Sequence, residues 1–211
     1  MPNIANDLIA EVAEYYTSKL ARHGETPSGV DWNGEASQLL RFEQLRKIID
    51  TSNAFSVNDL GCGYGALYDF LAHRYQSFIY SGIDISRDMI RAAEQRHRDK
   101  AQVRFVLSNE PERIADYGIA SGIFNVRLGR SDEEWRSYIE TTLDILDRTS
   151  RRGFSFNCLT SYSDSSKMRD HLYYADPCVL FDMCKNRYST NVALLHDYGL
   201  YEFTIHVRKR Q

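Results

Sequence analysis

Val57-Asn58-Asp59-Leu60-Gly61-Cys62-Gly63-Tyr64-Gly65-Ala66-Leu67 joins an apolar run that ends at Leu60 to an amphipathic one that begins near Leu67. Three glycines at alternate positions occupy the junction. A strand that enters a helix through such a turn lets its backbone pass close beneath a bound nucleotide, where a Cβ would intrude. The start of the following helix adds favourable electrostatics. An ordinary strand-to-helix turn is the plain alternative, so the segment that follows has to decide. In Tyr80-Ser81-Gly82-Ile83-Asp84-Ile85-Ser86 a carboxylate ends the next apolar run, close to the spacing of about twenty residues expected of a ribose-binding acid. Asp84 there can accept both ribose hydroxyls. Taken alone it also reads as the N-cap of a helix beginning near Arg87. The glycine turn and the acid reinforce each other.

Outward from this pair, short apolar runs alternate with helical stretches, the signature of βα units in a parallel sheet. The pattern predicts strands over 54–60, 78–84, 103–107, 117–124 and 153–159, with helices over 67–73, 87–96 and 132–145. Asp176 followed by Pro177 predicts a helix start that runs through Cys184. Two β-rich runs, 191–196 and 200–207, flank Gly199 and read as a hairpin. Ahead of the first strand, Ile4, Leu8, Ile9, Val12, Tyr16 and Leu20 recur at helical spacing, and Leu39, Leu40, Phe42, Leu45, Ile48 and Ile49 form a second such stripe. Residues 25–34 hold turn formers and carry Val30 and Trp32. The division read from this order is a helical cap over 1–53 and a nucleotide-binding domain over 54–211.

Hydrophobic residues make up 43% and charged residues 26% of the 211, an ordinary globular balance. A net charge of −3 supplies no positive field for a polyanion, so a nucleic-acid substrate is not expected. Asp7, Glu11 and Glu14 break any secretory leader, and no run reaches the ~18–20 apolar residues of a membrane span. A cytoplasmic protein is expected. Cys62, Cys158, Cys178 and Cys184 lack metal-site spacing, so no metal is expected.

The run Asp59 to Gly65 resembles the first motif of the class I, seven-stranded S-adenosylmethionine-dependent methyltransferases, over roughly residues 36–208. The pattern of Tyr15-Tyr16, His23-Gly24, Gly29-Val30-Asp31-Trp32-Asn33, Gln38 and Arg41-Phe42 is similar to small bacterial methyltransferases of unassigned substrate. The resemblance implies an α/β, three-layer sandwich: a doubly wound, seven-stranded, mostly parallel sheet whose last strand is antiparallel beside the fifth, preceded by two N-terminal helices. S-adenosylmethionine is the cofactor it implies. Asp59, Gly61, Gly63 and Gly65 would then surround it, with Asp84 on the ribose and Ile85 and Met89 near the adenine. Asn109 or Glu110 would stand at the adenine amino group. Ser121 and Gly122, with Ile123, Phe124 and Asn125, would line the methyl-transfer site.

A sulfonium methyl is already activated, so alignment and exclusion of water supply much of the catalysis. If the acceptor is a hydroxyl, a histidine or carboxylate within reach assists by taking its proton. His171, in the long connection 160–175, is the first candidate base, and His196, in the hairpin turn, the second. Tyr162 and Tyr173 make that connection a candidate substrate lid, and Tyr16 and Trp32 a candidate aromatic cover. Arg41 is a candidate fork for the carboxylate of the cofactor's methionine. The expected activity is methyl transfer to a small polar acceptor, a hydroxyl of a sugar or natural-product metabolite, with a homodimer left open. Gly61-x-Gly63-x-x-Ala66 also satisfies the relaxed dinucleotide fingerprint, so an NAD(P)-dependent oxidoreductase is the alternative, with a noncatalytic cofactor-binding protein as a third.

Overall fold

The computed structural model describes residues 4–210, with side chains from residue 7 onward. Seven strands, β1 (Phe55–Leu60), β2 (Phe78–Asp84), β3 (Val103–Leu107), β4 (Ala115–Ala120), β5 (Ser150–Leu159), β6 (Asn191–Leu195) and β7 (Glu202–Arg208), form one sheet in the order β3-β2-β1-β4-β5-β7-β6. The first five are mutually parallel; β7 runs antiparallel between β5 and β6. The chain winds from β1 toward β3 and then restarts on the other side at β4. The reversal opens a crevice at the carboxyl ends of β1, β2 and β4, where ligands of such sheets lie.

Helices cover both faces. On one, Phe42 and Leu45 of α2 (Glu35–Leu45) and Leu67, Phe70 and Leu71 of α3 (Ala66–Ala72) share a buried cluster with Phe55, Val57, Tyr80 and Tyr117. The expected boundary at residue 53 therefore passes through a continuous core. On the other face, Leu8 and Val12 of α1 (Ile4–His23) join Trp135, Ile139 and Leu143 of α5 (Asp132–Arg148) and Leu180 of α6 (Pro177–Arg187) over Leu60, Ile83 and Phe154. The crossover from β3 to β4 carries no helix among the described residues, and α1 lies beside the carboxyl ends of β2 and β3 on that face, with Ile9 and Ala13 facing Leu107 and Ser108 across a shallow groove.

Local chemistry sets the helix starts. Ser86 Oγ accepts from Met89 N at 3.3 Å to open α4 (Arg87–Arg96). Ser131 and Glu134 exchange bonds in a capping box at α5. Asp176 caps α6 ahead of Pro177.

Two expectations move. The fourth strand stops at Ala120 instead of running to 124, because Gly122 adopts φ +76° and Asn125 N turns back to Gly122 O. The connection 160–175 holds only a short 3-10 turn, Ser165–Lys167. It is strapped to the segment that follows β4 by Tyr173 N to Asn125 O at 2.8 Å and by Arg127 N and Leu128 N to His171 O, both 3.0 Å.

Candidate active site

A cavity of about 580 Å³ opens at the carboxyl ends of β1, β2 and β4, beneath α1 and the 24–34 loop. Its floor is the glycine turn. Gly61 and Gly63 line it directly; Gly65 does not, and instead starts α3 at φ +86°, where a Cβ would stand 2.8 Å from His97 Nε2. That glycine is needed for helix packing, the third of the roles such a turn assigns.

Asp84 is buried at the end of β2, its Oδ2 accepting from Gly63 N at 2.9 Å and its Oδ1 from Ser86 N at 2.8 Å. The two backbone donors orient the carboxylate, and each oxygen retains capacity for a further donor such as a ribose hydroxyl. Burial pushes its carboxyl above the ordinary range. Ile85 and Met89 stand beside it in the cavity wall, and Asn109 lines the wall after β3. Glu110 does not; it is exposed and paired with Arg148.

Asp59, 2% exposed, accepts Tyr80 Oη at 2.5 Å on Oδ2 while its Oδ1 has no partner. Desolvation raises this carboxyl to about 7. An orphaned buried oxygen in a cavity wall calls for a ligand donor. Two carboxylates at one end of the crevice suit a cofactor carrying an ammonium and a sulfonium, and would repel a pyrophosphate. The residues therefore fit S-adenosylmethionine and oppose the dinucleotide alternative.

Beyond the glycine turn, Ser121, Gly122 and Ile123 line the cavity at the end of β4, faced by Tyr16 and Trp32. Several expected members lie elsewhere. Phe124 is wholly buried in the core, fixed through its carbonyl by Trp135 Nε1 at 2.8 Å. Asn125 spends its side-chain oxygen on Leu159 N, so it braces β5 instead of facing an acceptor. Tyr173 packs on the core; Tyr162 is 68% exposed and stacks near His196. Neither His171 nor His196 reaches the cavity: the first is held in the strap by its carbonyl, and the second is exposed in the hairpin turn. Arg41 is buried, its Nε and Nη2 donating to Glu202 at 2.8 and 2.7 Å. Its Nε–Nη2 edge is taken by this chain's own carboxylate while Nη1 has no partner, and Arg41 lies outside the cavity lining.

Sequence reasoning missed Glu202, Asn157 and an exposed edge of α5, where Glu133, Ser137 and Thr141 border the cavity. Glu202 heads a strand in which Phe203, Ile205 and Val207 alternate, but nothing local in the sequence ties it to Arg41 on α2.

The sheet order, the glycine turn and the carboxylate pair are those of a doubly wound α/β fold whose β1–β4 switch point suits an adenosyl cofactor. A family model described as a methyltransferase domain matches residues 57–146. The Mycobacterium tuberculosis protein named "Putative methyltransferase Rv1506c" is 63% identical over 163 residues, covering 77% of this chain and 98% of that one. Among solved structures, the N-methyltransferase NodS of Bradyrhizobium japonicum in complex with S-adenosylhomocysteine superposes with TM-score 0.65 at 15% identity, covering 94% of this chain and 98% of that one. The DhpI–S-adenosylhomocysteine complex gives 0.64 at 15% identity, covering 95% and 96%. The chain belongs to the class I S-adenosylmethionine-dependent methyltransferases.

Proposed function

We propose that this methyltransferase acts on a small polar acceptor, a hydroxyl of a sugar or natural-product metabolite, held between the end of β4 and α5. The carrying observation is Glu133. It is an exposed carboxylate that borders the cavity from the first turn of α5. When bound, the cofactor supplies a methyl group on a positively charged sulfur. Asp84 holds the ribose hydroxyls, the free oxygen of Asp59 receives the methionine ammonium, and Asn109 meets the adenine edge. Glu133 would take the proton that the acceptor hydroxyl gives up when its oxygen receives the methyl and the sulfur–methyl bond breaks to leave a neutral thioether. Ser137 and Thr141, one and two turns further along the same helix face, supply hydroxyls that orient the acceptor. Tyr16, Trp32 and Ile123 exclude water from the reacting end.

The absence of a cavity-lining histidine among the described residues supports a carboxylate as the base. A malonyl-[acyl-carrier protein] O-methyltransferase of Paenibacillus, 22% identical over 169 residues, shows that a relative methylates oxygen. The test is transfer of labelled methyl from S-adenosylmethionine into a low-mass product of a metabolite extract. Glu133→Gln should lower turnover by about 100-fold while leaving S-adenosylhomocysteine affinity unchanged. Unchanged turnover would remove Glu133 as base, and label appearing only in macromolecules would remove the small acceptor.

A further inference from the structure

Arg41 and Glu202 lie 161 residues apart in sequence and meet as a buried ion pair. A buried pair of this kind is poor evidence for stability, since well-packed apolar residues commonly do as well. Its connections suggest another use. Glu202 Oε2 accepts from both Arg41 Nε at 2.8 Å and Asn157 Nδ2 at 2.6 Å. Asn157 Oδ1 in turn accepts Gly122 N at 2.8 Å. On its other side the Arg41 guanidinium carbon lies 4.0 Å from the ring centroid of Trp32. The ring then returns to Gly122, where a Cβ would stand 2.4 Å from both Cη2 and Cζ2 of the indole. Trp32, Arg41, Glu202, Asn157 and Gly122 thus form a closed circuit from five segments. Of the five, only Trp32 and Gly122 line the cavity. The loop carrying Trp32 is separately pinned to α1, because Asp31 accepts Tyr15 Oη and Lys19 Nζ, both at 2.6 Å.

We propose that Arg41, Glu202 and Asn157 are positioning residues that lock Trp32 against Gly122 as a fixed wall of the methyl-transfer site, so that this indole limits which acceptors reach the end of β4. The guanidinium suits the task because it offers a coplanar fork to one carboxylate and a flat face to the indole at once. A lysine ammonium is a point charge that has neither the coplanar fork nor a flat face to lay on the ring, so it cannot hold both partners in this geometry. The location of the wall rests on the methyl-transfer reading; the locking of Trp32 does not.

The experiment is fluorine NMR of the full chain labelled with 5-fluorotryptophan. The protein has two tryptophans, and Trp32→Phe assigns the Trp32 line, leaving core Trp135 as the internal report of folding. In the wild type the Trp32 line should be single and sharp without ligand. In Arg41→Lys and in Glu202→Gln it should broaden or move while the Trp135 line stays. S-adenosylhomocysteine affinity, by calorimetry, should fall about tenfold in each. In the double variant with Trp32→Phe the Arg41→Lys change should have little further effect. A Trp32 line and an affinity unchanged in both variants would overturn the proposal. If Trp135 shows that either variant has lost its fold, Arg41→Met with Glu202→Leu removes both charges together, and a Trp32 line unmoved in that pair would overturn it equally. A wild type with a locked Trp32 line but no S-adenosylhomocysteine binding would instead overturn the methyl-transfer reading.

Discussion

Asp59→Asn should convert a pH-dependent binding site into a pH-independent one. The carboxyl is 2% exposed, holds one hydrogen bond from Tyr80, and titrates near 7 against an ordinary 3.8 because burial disfavours its anion. At about 1.4 kcal/mol per pH unit, that elevation corresponds to about 4 kcal/mol against the ionised form in the empty folded protein. The sign follows from linkage. Between pH 3.8 and 7 the folded state holds a proton that the unfolded chain has released, so this group's contribution to stability is fully present below 3.8 and lost as pH rises through 7. A cofactor ammonium beside the unpartnered oxygen reverses the preference, since it favours the anion. Binding of S-adenosylhomocysteine should then expel a proton near neutrality and below, and its affinity should fall by up to about tenfold per pH unit below 7. Calorimetry in buffers of different ionisation enthalpy counts that proton directly. Asp59→Asn should abolish the proton release, bind more weakly at pH 8, and, without ligand, be more stable than the wild type at that pH. Equal proton release in the variant and the wild type would refute the assignment of the ammonium to Asp59.

Gly122→Ala should destabilise the protein by about 2 kcal/mol or more in urea unfolding, because φ is +76° and the new methyl meets the Trp32 ring. Saturating S-adenosylhomocysteine, at about 100 times its dissociation constant, should raise the melting temperature by about 5–10 °C, whereas NADH should not; the reverse ranking would favour the dinucleotide reading. Ser131→Ala removes the hydroxyl half of the capping box that starts α5 and should cost about 1 kcal/mol in thermal unfolding, without altering S-adenosylhomocysteine affinity.

The sheet was legible in the sequence because each strand is a short apolar run bounded by turn residues, and because parallel strands buried on both faces need no alternation to be seen. The cofactor-facing candidates that the structure brings together on the cavity wall carry a related pattern, since a turn that passes close beneath a ligand makes its demand on glycine spacing and on one acid at a strand end. The acceptor half was not. His171 and His196 looked poised because their loops follow carboxyl ends of strands, yet the bonds of the His171 carbonyl to Arg127 and Leu128 turn one loop into a strap. Arg41 looked like a ligand group because a guanidinium matches a carboxylate in a fork. That partner, Glu202, lies 161 residues away, and no local pattern links the two. Glu133, Ser137 and Thr141 of α5 gave no signal because they are solvent-exposed positions of an amphipathic helix that also border the cavity.

Asp84 is the residue on which the assignment of the cavity turns. Titration of S-adenosylhomocysteine into the wild type and into Asp84→Asn, with far-ultraviolet dichroism to verify that both are folded, measures its role in one comparison. Loss of two charge-assisted hydrogen bonds to the ribose should weaken binding by about 100-fold or more, whereas equal affinities would contradict the placement of the sugar at the end of β2 and with it the assignment of the cavity.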